Sequence, residues 1–282
     1  VPDDLTHVAA VAAVDDHNLT VTREGNVRAW GWNRDGQCDT PVALSGVTAV
    51  AAGDMHSLAL TQDGTVVAWG NNSNGQCDVP AGLTAVTAIA AGWKQSLALR
   101  SDGSVVAWGL EDRYLLEGPA ELGGVTALAQ GRYHGLLLGS NGRVNGWLDN
   151  RTGRFAPPAE LTGVIAIAAG WDYSLALKVD GTLAVWGRNH YGQATPRMSP
   201  AGVAALSAGA EHNLVLGLDG RVMAWGNNLK GQCDIPVGLS DVKAVAGGYA
   251  HRLALTEASA LLAWRDNASG QCNVRPGLND IL

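Results

Sequence analysis

The chain is short of aromatic residues and of basic charge. Aromatics make up 6% of its 282 residues, with a single phenylalanine. Small residues and turns must therefore dominate the packing. Lys and Arg number 19 against 26 Asp and Glu, a net charge of −7. That balance lacks the basic footprint of nucleic-acid binders. It suits a soluble protein or a partner of basic character. No apolar run approaches the roughly 20 residues of a membrane-spanning helix. The four cysteines form no Cys-x-x-Cys pair, so the usual zinc spacing is missing. Gly-x-Ser-x-Gly, a glycine-rich phosphate loop and the zinc-protease helix motif are all missing too. We expect no cofactor, no metal, no membrane and no nucleic-acid partner.

What the chain does have is glycine, 37 residues, and tryptophan, 10 residues. Seven of the tryptophans keep a fixed beat. Trp30, Trp69, Trp108, Trp147, Trp186, Trp225 and Trp264 are each 39 residues apart. Val8, Ala10 and Leu19 begin three more columns, each filled by the same residue in all seven copies. A period of 39 falls in the range of propellers and solenoids. Seven such units account for nearly the whole chain, so we read residues 1–282 as one domain.

Residues 47–85 serve as the type unit. Val47–Ala52 is a small-residue strand ending at Gly53. Ser57–Thr61 alternates with period two, placing Leu58 and Leu60 on one face. Asp63-Gly64 predicts a two-residue hairpin turn. Thr65–Trp69 is the third strand and Gln76–Val79 a short fourth, closed by Pro80. Four antiparallel strands, seven times over, predict an all-β seven-bladed propeller with almost no helix. The segments Val1–Val8 and 274–282 repeat one pattern, with Leu5, Leu278 and Ile281 in register. The first and last units can thereby meet and hide their edges. An open β-solenoid competes, but its usual polar caps are missing.

The stretch Ala51-Ala52-Gly53-x-x-His56-Ser57-Leu58-Ala59-Leu60, then Asp63-Gly64, then Val67-Ala68-Trp69-Gly70-x-Asn72-x-x-Gly75-Gln76, resembles the repeat of the regulator of chromosome condensation family. The resemblance covers the whole chain and implies a seven-bladed propeller. The compact unit and its Gly-Gln-x-x-x-Pro ending are similar to those of the bacterial propeller-type β-lactamase-inhibitory proteins. The eukaryotic nucleotide-exchange members have longer repeats and a wedge insertion, which this chain lacks. The resemblance to the inhibitors implies aromatic loop residues gripping a target enzyme.

Strand polarity puts the loop after strand one and the loop after strand three at the same end. Residues that recur in every copy hold the blade. Residues that vary at loop tips are free to serve a partner. On the first loop these are Asp15, Asp16, Asp54, Met55, Trp93, Lys94, Arg132, Tyr133, Trp171, Asp172, Ala210, Glu211, Tyr249 and Ala250. On the second they are Trp32, Arg34, Asp112, Arg113, Arg151, His190 and Tyr191. Aromatic and Arg side chains are the common anchors of protein interfaces. The charges divide, acid in units one, two, five and six, base in units three and four, which would orient a partner. Unit three, from Gly109 to Leu115, and unit four, from Leu148 to Arg154, depart most from the repeat.

Two recurring columns look like sites and are read as structural. His17, His56, His134, His212 and His251 fill one column. A residue used in most blades does a per-blade task, such as hydrogen-bonding a neighbour. Cys38, Cys77, Cys233 and Cys272 fill another, too far apart on a ring for disulfides. Cysteines outside disulfides fit a reducing compartment, while a start at Val1 leaves a removed leader open. The expected function is a monomeric protein-binding module, with inhibition of a β-lactamase-like enzyme as one form of it. Two alternatives remain. One is an enzyme with Asp15, Asp16, Asp54, Asp172 and Glu211 at the channel mouth. The other is a carbohydrate-binding propeller with Trp93 and Trp171 stacking on sugars.

Overall fold

The computed structural model describes residues 7–109, 115–116, 122–148, 156–195 and 202–273. Asp112, Arg113, Arg151, residues 1–6 and residues 274–282 lie outside these, so of the two terminal segments read as closing the ring only His7 and Val8 are described. The described residues form seven antiparallel sheets and no α-helix. Blade one is β1 (Val8–Val14), β2 (His17–Thr22) and β3 (Val27–Gly31). Blade two is β4 (Val47–Ala52), β5 (His56–Thr61) and β6 (Val66–Gly70). Blade three is β7 (Val86–Ala91), β8 (Gln95–Arg100), β9 (Val105–Gly109) and the two-residue β10 (Leu115–Leu116). Blade four is β11 (Val125–Gln130), β12 (His134–Gly139) and β13 (Val144–Leu148). Blade five is β14 (Val164–Ala169), β15 (Tyr173–Lys178) and β16 (Leu183–Gly187). Blade six is β17 (Val203–Ala208), β18 (His212–Gly217) and β19 (Val222–Gly226). Blade seven is β20 (Val242–Gly247), β21 (His251–Thr256) and β22 (Leu261–Arg265).

Two expectations need correction. Among the described residues the predicted fourth strand forms only in blade three, as β10, and at Gln76–Val79 the chain makes tight turns instead. Its backbone is engaged elsewhere: Asn72 Oδ1 accepts from the Cys77 N–H at 2.8 Å, and the Gln76 carbonyl takes two side-chain donors from blade three. Those bonds leave no ladder to form. The Asp63-Gly64 turn is a three-residue loop, not a two-residue one. The Thr61 N–H reaches the Thr65 carbonyl at 2.9 Å, and Gly64 takes φ +80°, the left-handed third position such a loop requires.

The first strands of successive blades lie side by side around a central channel, β20 meeting β1 to complete the circle. Each apolar cluster is shared by two blades. Leu19, Val21 and Val27 of blade one pack with Val47, Ala59 and Trp69 of blade two. Val8, Ala13 and Trp30 pack in the same way with Leu253, Leu255 and Leu261 of blade seven. The ring is closed by the same chemistry that joins its neighbours.

The repeated polar columns are joints. The Gln37 carbonyl accepts from Ser57 Oγ and from the Trp69 indole N–H, both at 2.9 Å. Gln76 receives Ser96 and Trp108 in the same way, and Gln193 receives Asn213 and Trp225. At the closure Gln271 receives Asn18 at 2.7 Å and Trp30 at 3.1 Å. The histidine column works beside it. His17, His56 and His134 each meet a serine on the next blade, and His251 meets Asn18, at 2.7–3.1 Å. Burial pushes the His17 ring down to about 4 and the His56 ring to about 3, so both are neutral links. None of the four thiols is in a disulfide, and each donates to a carbonyl six residues back at 3.1–3.3 Å.

One backbone position departs from the repeat. The third strands of blades one, two, three, five and six end on glycine at φ between +102° and +112°. A Cβ on Gly31 would stand 2.3 Å from the Asp16 carbonyl oxygen. Blade seven places Arg265 there at φ +88°. Its loop bond, Asp266 N–H to Ala250 carbonyl, is stretched to 3.3 Å, whereas its counterparts span 2.8–2.9 Å. Arg265→Gly should therefore stabilise the protein by about 1 kcal/mol, strain relief exceeding the loss of a half-exposed ion pair to Asp234. Thermal melting of the variant checks this, and a lower melting point would show that the ion pair outweighs the strain.

Candidate protein-binding face

The loops after the first and third strands meet at one end of the propeller. The Trp32 N–H donates to the Asp16 carbonyl, Asn71 to Met55, Arg188 to Asp172 and Asn227 to Glu211. Neighbouring first loops are linked around the channel as well. Asp54 N–H reaches the Gly92 carbonyl, Trp171 reaches Ala210, Ala210 reaches Gly248, and Tyr249 reaches Asp15 across the closure, at 2.9–3.3 Å. Four of the seven neighbouring pairs of first loops are thus joined backbone to backbone.

At the mouth of the channel is a cavity of about 30 Å³, room for one or two waters, lined by Asp15, Asp54, Gln130, Arg132 and Trp171. Asp54 is only 2% exposed. Its carboxylate touches Arg132 Nε at 3.1 Å without the alignment of a hydrogen bond. Burial pushes the Asp54 carboxyl up to about 7. Arg132 opposes that rise and Asp15 adds to it. Asp15 is pushed up to about 6 by burial and then by Asp16, with Arg132 pulling the other way. Its φ of +47° is unique among the seven first loops' tips. Asp16 is raised by burial and by Asp266, and Lys230 pulls it back.

Around the mouth the aromatic residues form two couples. Trp93 meets Tyr133 edge-on at 5.6 Å, and Trp171 stacks on Tyr249 at 4.9 Å. Arg132 joins the couples. Its guanidinium lies 4.2 Å from the Trp171 ring and 5.4 Å from both Trp93 and Tyr133. Lys94 covers Trp93 at 4.3 Å. The sequence-selected residues Asp15, Asp54, Trp93, Lys94, Arg132, Tyr133, Trp171 and Tyr249 therefore converge. Trp32, Met55 and Tyr191 are exposed and share none of these ring contacts, and Arg34 and His190 are exposed beside them. Ala210 and Ala250 are buried and belong to the scaffold.

Two residues of this face escaped sequence reading. Arg188 bridges Asp172 at 3.3 Å and Glu211 at 3.9 Å, tying blades five and six. Gln130 projects at the mouth from a column otherwise filled by Ala13, Ala52, Ala91, Ala169, Ala208 and Gly247. Its departure from that column was a usable signal. The acids and bases of the face are largely paired, so the expected division into charged halves is muted.

A ring of seven antiparallel blades with a loop face of this kind is a seven-bladed β-propeller. The sequence matches the family described as regulator of chromosome condensation (RCC1) repeat over residues 8–37, 47–76, 86–114, 164–193 and 203–232. Those segments cover more than half of the chain, and the protein belongs to that family. Blades four and seven are the ones unmatched. The fold is similar to that of Prp20p from Saccharomyces cerevisiae, with a TM-score of 0.77 at 19% identity over 96% of this chain and 85% of that one. Binding to Gsp1p and histones is described for Prp20p. It is similar also to human WBSCR16, TM-score 0.72 at 20% identity, over 89% of this chain and 87% of that one. The ectodomain of the Arabidopsis thaliana receptor kinase ACR4 gives 0.76 at 17% identity, over 95% and 99%. No curated protein sequence matches the chain.

Proposed function

We propose that the protein is a monomeric binding module whose loop face grips another protein. The observation that carries this reading is the convergence of two tryptophans, two tyrosines and Arg132 around a small cavity at the channel mouth. Aromatic and Arg anchors on a pre-ordered frame lose little entropy on association. A cavity of about 30 Å³ is far below the roughly 300 Å³ of an ordinary small-molecule pocket. That favours a macromolecular partner over a substrate held at the mouth. The carbohydrate alternative loses support from the same geometry, because Tyr249 already stacks on Trp171 and Tyr133 and Lys94 cover Trp93. The inhibitor form of the hypothesis rests on repeat style alone, and inhibition assays against β-lactamases test it directly.

The deciding experiment is capture from the source organism with the wild type beside a Trp93→Ala/Trp171→Ala double variant. Hot-spot truncations cost about 2 kcal/mol or more each, a loss of roughly 30-fold or more per ring. We expect a partner retained by the wild type and lost by the variant, with unchanged circular dichroism and melting behaviour. Equal retention by both proteins would remove the face from consideration. Light scattering of the purified protein checks the monomer.

A further inference from the structure

The joint between blades six and seven does not follow the others. At four of the other six joints a histidine meets a small polar side chain on the next blade: Ser57, Ser96, Ser174 or Asn18. On blade seven that position is Arg252. It is fully buried, and none of its three guanidinium nitrogens has a hydrogen-bond partner among the described residues. No carboxylate among them stands within ion-pair distance. The Asp234 carboxylate, whose charge acts on Arg252 from unit six, is held by Arg265 at 3.1 Å.

Two further donors are stranded there. The Trp264 indole N–H, like that of Trp186, has no acceptor among the described residues, whereas Trp30, Trp69, Trp108 and Trp225 donate to a glutamine carbonyl. Trp264 is the cross-strand neighbour of Arg252, its ring 5.8 Å from the guanidinium. His212 has no partner on either ring nitrogen. Burial holds this ring well below its ordinary value, with Arg252 and His251 pushing the same way, so it is neutral and carries one N–H. Two thiols lie nearby. Cys233 and Cys272 Sγ donate to the carbonyls of Asn227 and Asp266, and burial pushes Cys272 up to about 12.

A guanidinium cannot shed its proton inside a protein. Buried without a counter-charge it is strongly destabilising. Around it are a guanidinium fork, an indole N–H and an imidazole N–H, all of them donors. The complement of such a set is a small acceptor of unit negative charge. We propose that the joint between blades six and seven binds a single halide-sized anion, chloride in physiological solution, held by Arg252 with Trp264 and His212. A doubly charged oxyanion would leave net negative charge buried in place of positive.

The test compares melting of the full chain at constant ionic strength in sodium chloride and in sodium gluconate. The wild-type Tm should rise with the logarithm of chloride concentration, roughly 2–4 °C for each tenfold step above the dissociation constant. Arg252→Ser, which restores the residue of blades two, three and five, should melt alike in both salts. A crystal of the wild type soaked in bromide should show an anomalous peak in contact with the Arg252 guanidinium. Equal melting in the two salts with no peak at Arg252 overturns the proposal. So does a chloride preference that persists in Arg252→Ser, because that marks a general ion effect. Should the variant fail to fold, the bromide map decides alone.

Discussion

Trp108→Ala should destabilise the propeller by about 3–5 kcal/mol, the usual cost of emptying a buried indole site. Trp108 is 1% exposed and packs across the joint between blades two and three, against Leu58, Leu60, Val66 and Val86. Its indole N–H donates to the Gln76 carbonyl at 2.9 Å. Truncation removes both the packing and the bond, and little in a ring closed on both sides can relax into the hole. Trp108→Phe separates the two contributions. It keeps most of the volume and gives up the hydrogen bond, for about 1–2 kcal/mol. Urea denaturation of the three proteins measures both differences. A loss below about 1 kcal/mol for the alanine variant would mean that the tryptophan column is not what holds neighbouring blades together.

The second large effect is on the pH dependence of stability. Asp54 carries an ordinary value of 3.8 when free and about 7 in the fold, chiefly through burial. Between those values the folded protein holds a proton that the unfolded chain has released. Its contribution to stability is therefore greatest below about pH 4 and is lost as pH rises to about 7. Asp15, raised to about 6, adds to the same decline. Asp54→Asn removes the titration. Relative to wild type, the variant should gain roughly 2–4 kcal/mol between pH 4 and pH 8, because each tenfold change in proton affinity is worth about 1.4 kcal/mol. Stability measured at both pH values for both proteins gives the answer. Parallel curves would show that Asp54 remains ionised throughout, held by Arg132.

Much of this molecule is legible in the one-dimensional repeat. Columns such as Val8, Leu19 and Trp30 state the blade, and their fixed spacing states the ring. The fourth strand misled because Gln76–Val79 looks like a short extended run. Its backbone partners are Asn72, Ser96 and Trp108, and two of these belong to the next blade. A local reading cannot see bonds that cross a joint. The binding face was legible as a set of varying positions, but not as couples. Nothing in the spacing of Trp171 and Tyr249 says that their rings stack, since they come from blades five and seven. Arg252 was legible and overlooked. It stands in a column of Ser, Asn and Gly, where a long cation is out of place.

The sharing of each apolar cluster between two blades has a consequence for how the protein is made. Blade one leaves the ribosome first, yet Val8, Ala13 and Trp30 bury against Leu253, Leu255 and Leu261. Asn18 and Trp30 both await the carbonyl of Gln271, more than 240 residues further along. The first blade synthesised is thus the last to be completed. Until blade seven has been synthesised, its apolar flank stays uncovered, and a chaperone that shields a nascent chain would find its binding site there.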